Sequence, residues 1–204
     1  MIPRNIISVW FGRKEKPDML KRCIDSWHRH CSDEKWHYIE INEDSKFIGP
    51  SMPFFNHVLG RGEWAKAADG ARLLALLSFG GIYLDCDVEV LKPLDPLLEN
   101  KFFAGFEDSH YVCNAVMGAA PESQFIEHMV NRFPWRSDGT SPANHYGPLM
   151  LTEELLRWGE GGDVKVYPPD TFYPVRYGQQ RIDGAPLPSA SYTDHKWAGS
   201  WIGA

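Results

Sequence analysis

The sequence predicts an α/β fold built on a mainly parallel central sheet, and three observations predict it. β-prone and helix-forming stretches alternate through the first half of the 204-residue chain, the pattern of strands joined by crossover helices. An alanine- and leucine-rich stretch, Trp64–Phe79, leads through Gly80 and Gly81 into the short apolar run Ile82, Tyr83, Leu84. That run ends in Asp85-Cys86-Asp87, which puts carboxylates at the end of a buried strand, the edge where ligands bind in open α/β sheets.

Residues 5–10 are apolar and β-prone and form the first expected strand, closed by Gly12. Pro17 suits a helix start, and Leu20, Cys23, Ile24, Trp27 and Cys31 recur at helical spacing over 17–31. Residues 36–41 alternate apolar and polar and give a second strand, and 42–62, with Gly, Pro and Asn, is expected as loop with at most a short helix. Trp64–Phe79 is rich in good helix formers and Gly80-Gly81 ends it. Short extended runs follow at 82–84 and 88–91, the latter stopped by Pro93 and Pro96. Strands are expected at Phe102–Phe106, 111–117 and Val164–Tyr167, helices at 121–133 and Pro148–Trp158, and an irregular tail beyond Pro168. With no repeat or linker visible, one domain over 1–204 is expected.

Bulk properties narrow the function. A net charge of −6 argues against a nucleic-acid binder, which needs a basic surface. The cysteines, Cys23, Cys31, Cys86 and Cys113, form no Cys-x-x-Cys pair and read as free thiols of a reducing compartment. The longest apolar run, near 73–84, is broken by Ser78 and two glycines, so no membrane span is expected, and no signal-peptide pattern opens the chain. The expected location is cytoplasmic, with a peripheral position at a membrane also consistent.

Elementary geometry brings four charged groups together. From Asp69 to Phe79 a helix rises ~15 Å, and from Gly81 to Asp85 a strand returns ~13 Å. The lengths nearly cancel, so Asp69 and Asp85 belong on one sheet edge, with Arg72 on the helix face of Asp69. In a straight strand Asp85 and Asp87, two residues apart, point to the same face, so both can serve one site, one of them through water or a ribose hydroxyl. Such a carboxylate pair suits Mg²⁺ or Mn²⁺ bridging to a diphosphate, the leaving group of an activated sugar. An isolated Asp-x-Asp is commonly just a solvated turn; the preceding apolar strand and the Asp-x-x-Arg on the helix favour a site.

These residues resemble the Asp-x-Asp sugar-transferring glycosyltransferases of family 32, a resemblance carried by Ala68-Asp-Gly-Ala-Arg72 and by the run from Gly80 through Asp85-Cys-Asp87 to Asp95. The N-terminal run 2–12, Asn114 with Met117-Gly-Ala119, Gly147-Pro148 and the tail 192–201 support it. The resemblance implies a GT-A type, Rossmann-like nucleotide-sugar-binding fold, a UDP- or GDP-sugar donor, a divalent cation (Mn²⁺ or Mg²⁺) and retention of anomeric configuration. It places Trp10 near the nucleotide base, Asp69 and Arg72 on donor-sugar hydroxyls, and Asp85 and Asp87 on ribose and metal. His195 would approach metal or diphosphate, Ser200 and Trp201 would close over the phosphates, and Asn114 would lie near the transferring sugar.

Each role has a plain structural alternative. Trp10 also fits a core tryptophan, His195 a hydrogen-bonded surface histidine, Asn114 a backbone partner, and Gly147-Pro148 a turn before a helix. His145 and Tyr146, beside Gly147, are candidates to line an acceptor groove. The expected reaction is sugar transfer to a glycan, lipid-linked glycan or protein hydroxyl, in bacterial surface polysaccharide or lipopolysaccharide synthesis or in a toxin-like enzyme. An Asp-x-Asp phosphatase is disfavoured because Glu89 stands four residues after Asp85, where that class needs Thr or Val. A non-catalytic carbohydrate-binding module is disfavoured by the buried helix-to-strand placement of the acids.

Overall fold

The computed structural model describes residues 1–32, 34–48, 52–135, 146–159, 163–181 and 185–199. Strands β1 (Asn5–Val9), β2 (His37–Ile41), β3 (Gly81–Leu84), β5 (Phe102–Phe106), β6 (Val112–Ala119) and β7 (Val164–Tyr167) form one sheet in the order β2-β1-β3-β6-β5-β7. β1 pairs in parallel with β2 and β3, and β5 with β7. β6 alone runs against its neighbours β3 and β5, so the mainly parallel sheet holds. A second sheet of two strands pairs β4 (Val88–Val90) with β8 (Thr193–His195). The helices are α1 (Asp18–His30), α2 (Pro53–Gly60), α3 (Trp64–Phe79), α4 (Gln124–Arg132) and α5 (Pro148–Trp158).

The alternation of side chains along the strands splits the core into two layers. Ile7, Val9, Tyr83 and Met117 face α2, α3, α4 and α5 with Phe54, Ala71, Leu76, Phe125 and Met150. Ile6, Ile82, Leu84 and Val116 face the other way, toward Trp27 of α1, Val88, Phe172 and Tyr173. Both faces of the sheet are therefore buried, as crossover helices require. The parity also fixes the site: Tyr83 looks toward α3, and Asp85, two residues on, shares its face.

The turn from α3 into β3 is tight. Gly81 has φ +134°, and a Cβ there would come within 2.6 Å of the Asn5 carbonyl oxygen, so only glycine fits. Asn5 closes the end of α3 by donating from Nδ2 to the carbonyls of Phe79 and Gly80, at 3.2 and 3.1 Å. The last helical carbonyl, that of Phe79, thereby gains a donor and β3 starts against β1.

Residues 42–62 hold the short helix α2, as the sequence reading allowed, and Phe54, Phe55 and Val58 bury their side chains in the core. One expectation needs correction. The tail beyond Pro168 is not all irregular, since β8 pairs with β4 through Val88–His195, Glu89–Asp194 and Val90–Thr193.

Candidate functional site

The ends of β1, β3 and β5 and the start of β6 share one rim of the sheet, and the site residues gather there. Arg72, one turn below Asp69 on α3, is its hub. Nη2 lies 3.2 Å from Asp69 Oδ1 and 3.4 Å from Asp85 Oδ1. Nη1 donates to the Asn114 carbonyl at 2.7 Å, and the guanidinium lies over the Tyr83 ring at 4.6 Å. Asn114, on β6, donates from Nδ2 to Asp69 Oδ1 at 2.8 Å. The Tyr83 hydroxyl donates to Asp85 Oδ1 at 2.5 Å. Four sequence-predicted residues, Asp69, Arg72, Asp85 and Asn114, thus form one hydrogen-bonded array.

The backbone bends after Asp85, where the Val88 N–H donates to the Asp85 carbonyl at 3.0 Å. The bend brings Asp85, Asp87 and His195 to one point, with a potential ligand atom of each within 4.8 Å of the others. His195 reaches it because β8 pairs with β4, immediately after the acidic turn. Its Nε2 lies 3.1 Å from Asp87 Oδ1, and the Ala198 N–H donates to Asp87 Oδ2 at 2.8 Å. The imidazole packs on Trp197, ring centres 4.1 Å apart. Its Nδ1 is buried without a hydrogen-bond partner among the described residues, so Nε2 is the nitrogen that faces the carboxylates. Two carboxylates with one imidazole are a donor set that suits Mn²⁺ or Mg²⁺, and the residues present fit a divalent cation.

Electrostatics separate the carboxylates. Burial raises the pKa of Asp69 to about 6, against the opposing pull of Arg72 and the Asn114 hydrogen bond. Burial likewise raises that of Asp85, again opposed by Arg72. For Asp87 burial is outweighed by the hydrogen bond and charge of His195 and by the Ala198 N–H, and its pKa falls. Burial works against the charge of Arg72 too, but Asp85, Tyr83 and Asp69 outweigh it and keep the guanidinium protonated.

Trp10 is not part of this array. It follows β1 on the same rim, one residue beyond Val9, whose carbonyl accepts from Cys86 Sγ at 3.5 Å. It is half-buried and lines a surface cleft of about 500 Å³ with Arg13, Lys14, Lys16, Asn42 and Asp44. Nε1 donates to the Lys14 carbonyl at 2.7 Å, and Lys16 Nζ sits 5.3 Å from the ring centre. Ser200, Trp201 and His145 lie outside the described residues. Tyr146 is buried in the core, but its neighbour Gly147 closes on the site: a Cβ there would stand 3.5 Å from Asp69 Oδ2 and 3.9 Å from Asn114 Nδ2.

Sequence reasoning missed three contributors. Tyr83 was legible, because period two puts it on the face of Asp85. Glu107 follows β5 on the same rim; burial raises its pKa, with a hydrogen bond to Cys113 and the charge of His195 opposing. Its position at a strand end was the available signal. The Ala198 N–H left no signal, since any residue but proline supplies one.

Comparison with known proteins agrees with this geometry. Residues 17–104 match the family model described as glycosyltransferase sugar-binding region containing DXD motif. The chain is 26% identical over 167 residues to human alpha-1,4-N-acetylglucosaminyltransferase, covering 72% of this chain and 48% of the relative. It is 27% identical over 168 residues to inositol phosphoceramide mannosyltransferase 1 of Schizosaccharomyces pombe, covering 77% and 52%. The chain spans about half the length of these curated relatives. Among solved structures, PaToxG Glycosyltransferase superposes with a TM-score of 0.61 at 19% identity, over 77% of this chain and 70% of that one. A glycosyltransferase involved in glycosylation of the major capsid of PBCV-1 superposes with a TM-score of 0.53 at 15% identity, over 98% and 95%. The fold is that of the GT-A glycosyltransferases, and the family resemblance read from the sequence holds.

Proposed function

From the premise that residues 17–104 carry the DXD sugar-binding region of the glycosyltransferases, we propose that the chain transfers a sugar from a UDP- or GDP-sugar to an acceptor hydroxyl, with retention of configuration. The observation that carries the reading is the convergence of Asp85, Asp87 and His195 within 4.8 Å beside the Asp69–Arg72–Asn114 array. Asp85, Asp87 and His195 would hold a divalent cation, whose charge would stabilise the diphosphate leaving group. Arg72 and Asp69 orient the donor sugar, Arg72 being held by Asp69, Asp85, the Ala68 and Asn114 carbonyls and the Tyr83 ring, so that it is preorganised for binding. Asn114 fixes the ionised form of Asp69 through its Nδ2–H. Trp10 supplies a face for the nucleotide base beside the cleft it lines. In this reading one domain does the work, with the nucleotide held by about 1–95 and the acceptor side and lid drawn from about 96–204.

Inositol phosphoceramide mannosyltransferase 1 is named for inositol phosphoceramide, and a further relative, lactosylceramide 4-alpha-galactosyltransferase of Rattus norvegicus, 26% identical over 147 residues, for lactosylceramide; these names favour a glycan or lipid-linked glycan acceptor over a protein one. Their names carry N-acetylglucosaminyl, mannosyl and galactosyl groups, so they do not single out one donor sugar. Names that carry α linkages accord with retention. Surface-glycan synthesis at the cytoplasmic side of a membrane is the setting this suits; among the described residues no helix is long and apolar enough to cross a membrane.

The test is nucleoside diphosphate release from a panel of UDP- and GDP-sugars, with and without Mn²⁺, against glycolipid acceptors. Release is expected to need Mn²⁺ or Mg²⁺ and to fall by at least about a hundredfold in Asp87→Asn, with the circular dichroism spectrum unchanged. Wild-type turnover by Asp87→Asn, or phosphate release from a monoester in place of sugar transfer, would overturn the reading.

A further inference from the structure

Away from the rim, α1 and the β4–β8 ribbon enclose a second cleft of about 320 Å³, lined by Met19, Arg22, Cys23, Arg29, Glu89 and Lys196. Its acids are already matched. Lys196 Nζ lies 2.6 Å from both Glu89 Oε2 and Asp194 Oδ2, and Arg181 lies 3.3 Å from Asp194 Oδ2. Arg22 and Arg29 stand outside this arrangement: both are exposed, and among the described residues neither forms an ion pair. They are seven residues apart on α1, about two turns, so both present to the same opening. The cleft therefore carries two guanidiniums in excess of its acids, on a chain whose net charge is −6. General surface charge does not account for that excess.

We propose that this cleft binds a phosphate ester, held by Arg22 and Arg29, while Lys196 neutralises Glu89 on the opposite wall. The planar fork of a guanidinium matches the oxygens of a phosphate two at a time. Met19 and Cys23 give the cleft an apolar floor for the body that carries the phosphate. The cleft is separate from the candidate metal centre, although both use the ribbon. Lys196 follows His195 directly, and its N–H donates to the Asp87 carbonyl at 2.9 Å. The inference does not depend on the transfer reaction.

Titrating the purified chain with inorganic phosphate by calorimetry, against chloride of equal ionic strength, tests the site. Arg22→Gln/Arg29→Gln is expected to lose phosphate affinity by about tenfold or more, since charge-assisted hydrogen bonds are removed. Lys101→Gln/Lys165→Gln removes the same charge from exposed positions on and beside the far strands of the sheet and is expected to lose little. A second arm sediments the chain with phosphatidylcholine vesicles with and without phosphatidylinositol. Retention that needs phosphatidylinositol and both arginines assigns the phosphate to a lipid headgroup; calorimetric binding without vesicle retention assigns it to a soluble ester. Equal phosphate affinity in the wild type and the arginine variant, or an equal loss in the lysine variant, would overturn the proposal.

Discussion

Asp69 is a carboxylate whose burial, unopposed, would hold it protonated near neutral pH. Burial raises it to about 6, and Arg72 and Asn114 are what keep it from rising further, while the charge of Asp85 pushes the other way. The sign follows from the two forms: ionising Asp69 costs the fold stability, so its contribution is greatest below the unfolded value of 3.8 and is lost as pH rises through about 6. Function asks for the opposite form, because the ionised carboxylate is what accepts from Asn114 Nδ2 and faces Arg72. Transfer activity is therefore expected to fall on the acid side with a midpoint near 6. Asn114→Ala removes a stabilising donor, so that acid limb should move to higher pH by about one unit. An unmoved limb in a variant that still binds donor would take Asn114 out of this role. The convergence of Asp69, Arg72 and Asp85 was legible because helix and strand rises are fixed numbers. That of Asn114 rested on resemblance, since its place depends on β6 inserting between β3 and β5.

At the level of elements, local chemistry wrote the first half of the fold and tertiary pairing wrote the rest. Trp64–Phe79 and Phe102–Phe106 are where the sequence puts them, because propensity and burial agree there. β8 could not be read so. Thr193-Asp194-His195 shows no apolar alternation, and its partner Val88–Val90 is about a hundred residues earlier. Helix α2 was legible as a short helix within a loop-like stretch, and burial of Phe54, Phe55 and Val58 fixes its place. The packing of α4 on α5 shows a like dependence on one side chain. Glu154, 4% exposed, accepts from His128 at 2.8 Å, lies 3.4 Å from Arg132 and meets Arg157. Burial would raise its pKa, but these partners outweigh it and the folded value lies below 4.5. A depressed carboxyl contributes stability above the unfolded value, and that contribution is lost as pH falls through the folded one. Glu154→Gln is expected to cost about 1–3 kcal/mol at neutral pH and to flatten the dependence of the thermal midpoint on pH below about 4.5. A variant whose midpoint follows the wild type through that range would show the cluster to be a surface ornament.

For the molecule as a whole, the decisive contact is between the large sheet and the C-terminal ribbon. Asp85 belongs to the end of β3, Asp87 to the turn before β4, and His195 to β8, so a cation held by all three ties the ribbon to the sheet. Among the described residues the ribbon holds the acidic turn through the β4–β8 pairing, the His195–Asp87 contact, the Ala198 N–H on the Asp87 carboxylate and the Lys196 N–H on the Asp87 carbonyl. A ligand that binds only the folded chain stabilises it by about 2.7 kcal/mol at a hundredfold excess over its Kd. For a domain of this size that corresponds to about 5–10 °C in the thermal midpoint. Mn²⁺ is therefore expected to raise the midpoint of the wild type by that order and to slow amide exchange at Thr193, Asp194 and His195 more than at the buried strands β1 and β3. His195→Ala should keep part of the shift, because two carboxylates remain, but lose the added protection of β8; Asp87→Asn should lose most of both. Donor sugar is absent from these measurements, so they separate cation binding from transfer. A midpoint that ignores saturating Mn²⁺ in the wild type would leave the three side chains as a hydrogen-bonded clasp and remove the cation from the proposed chemistry.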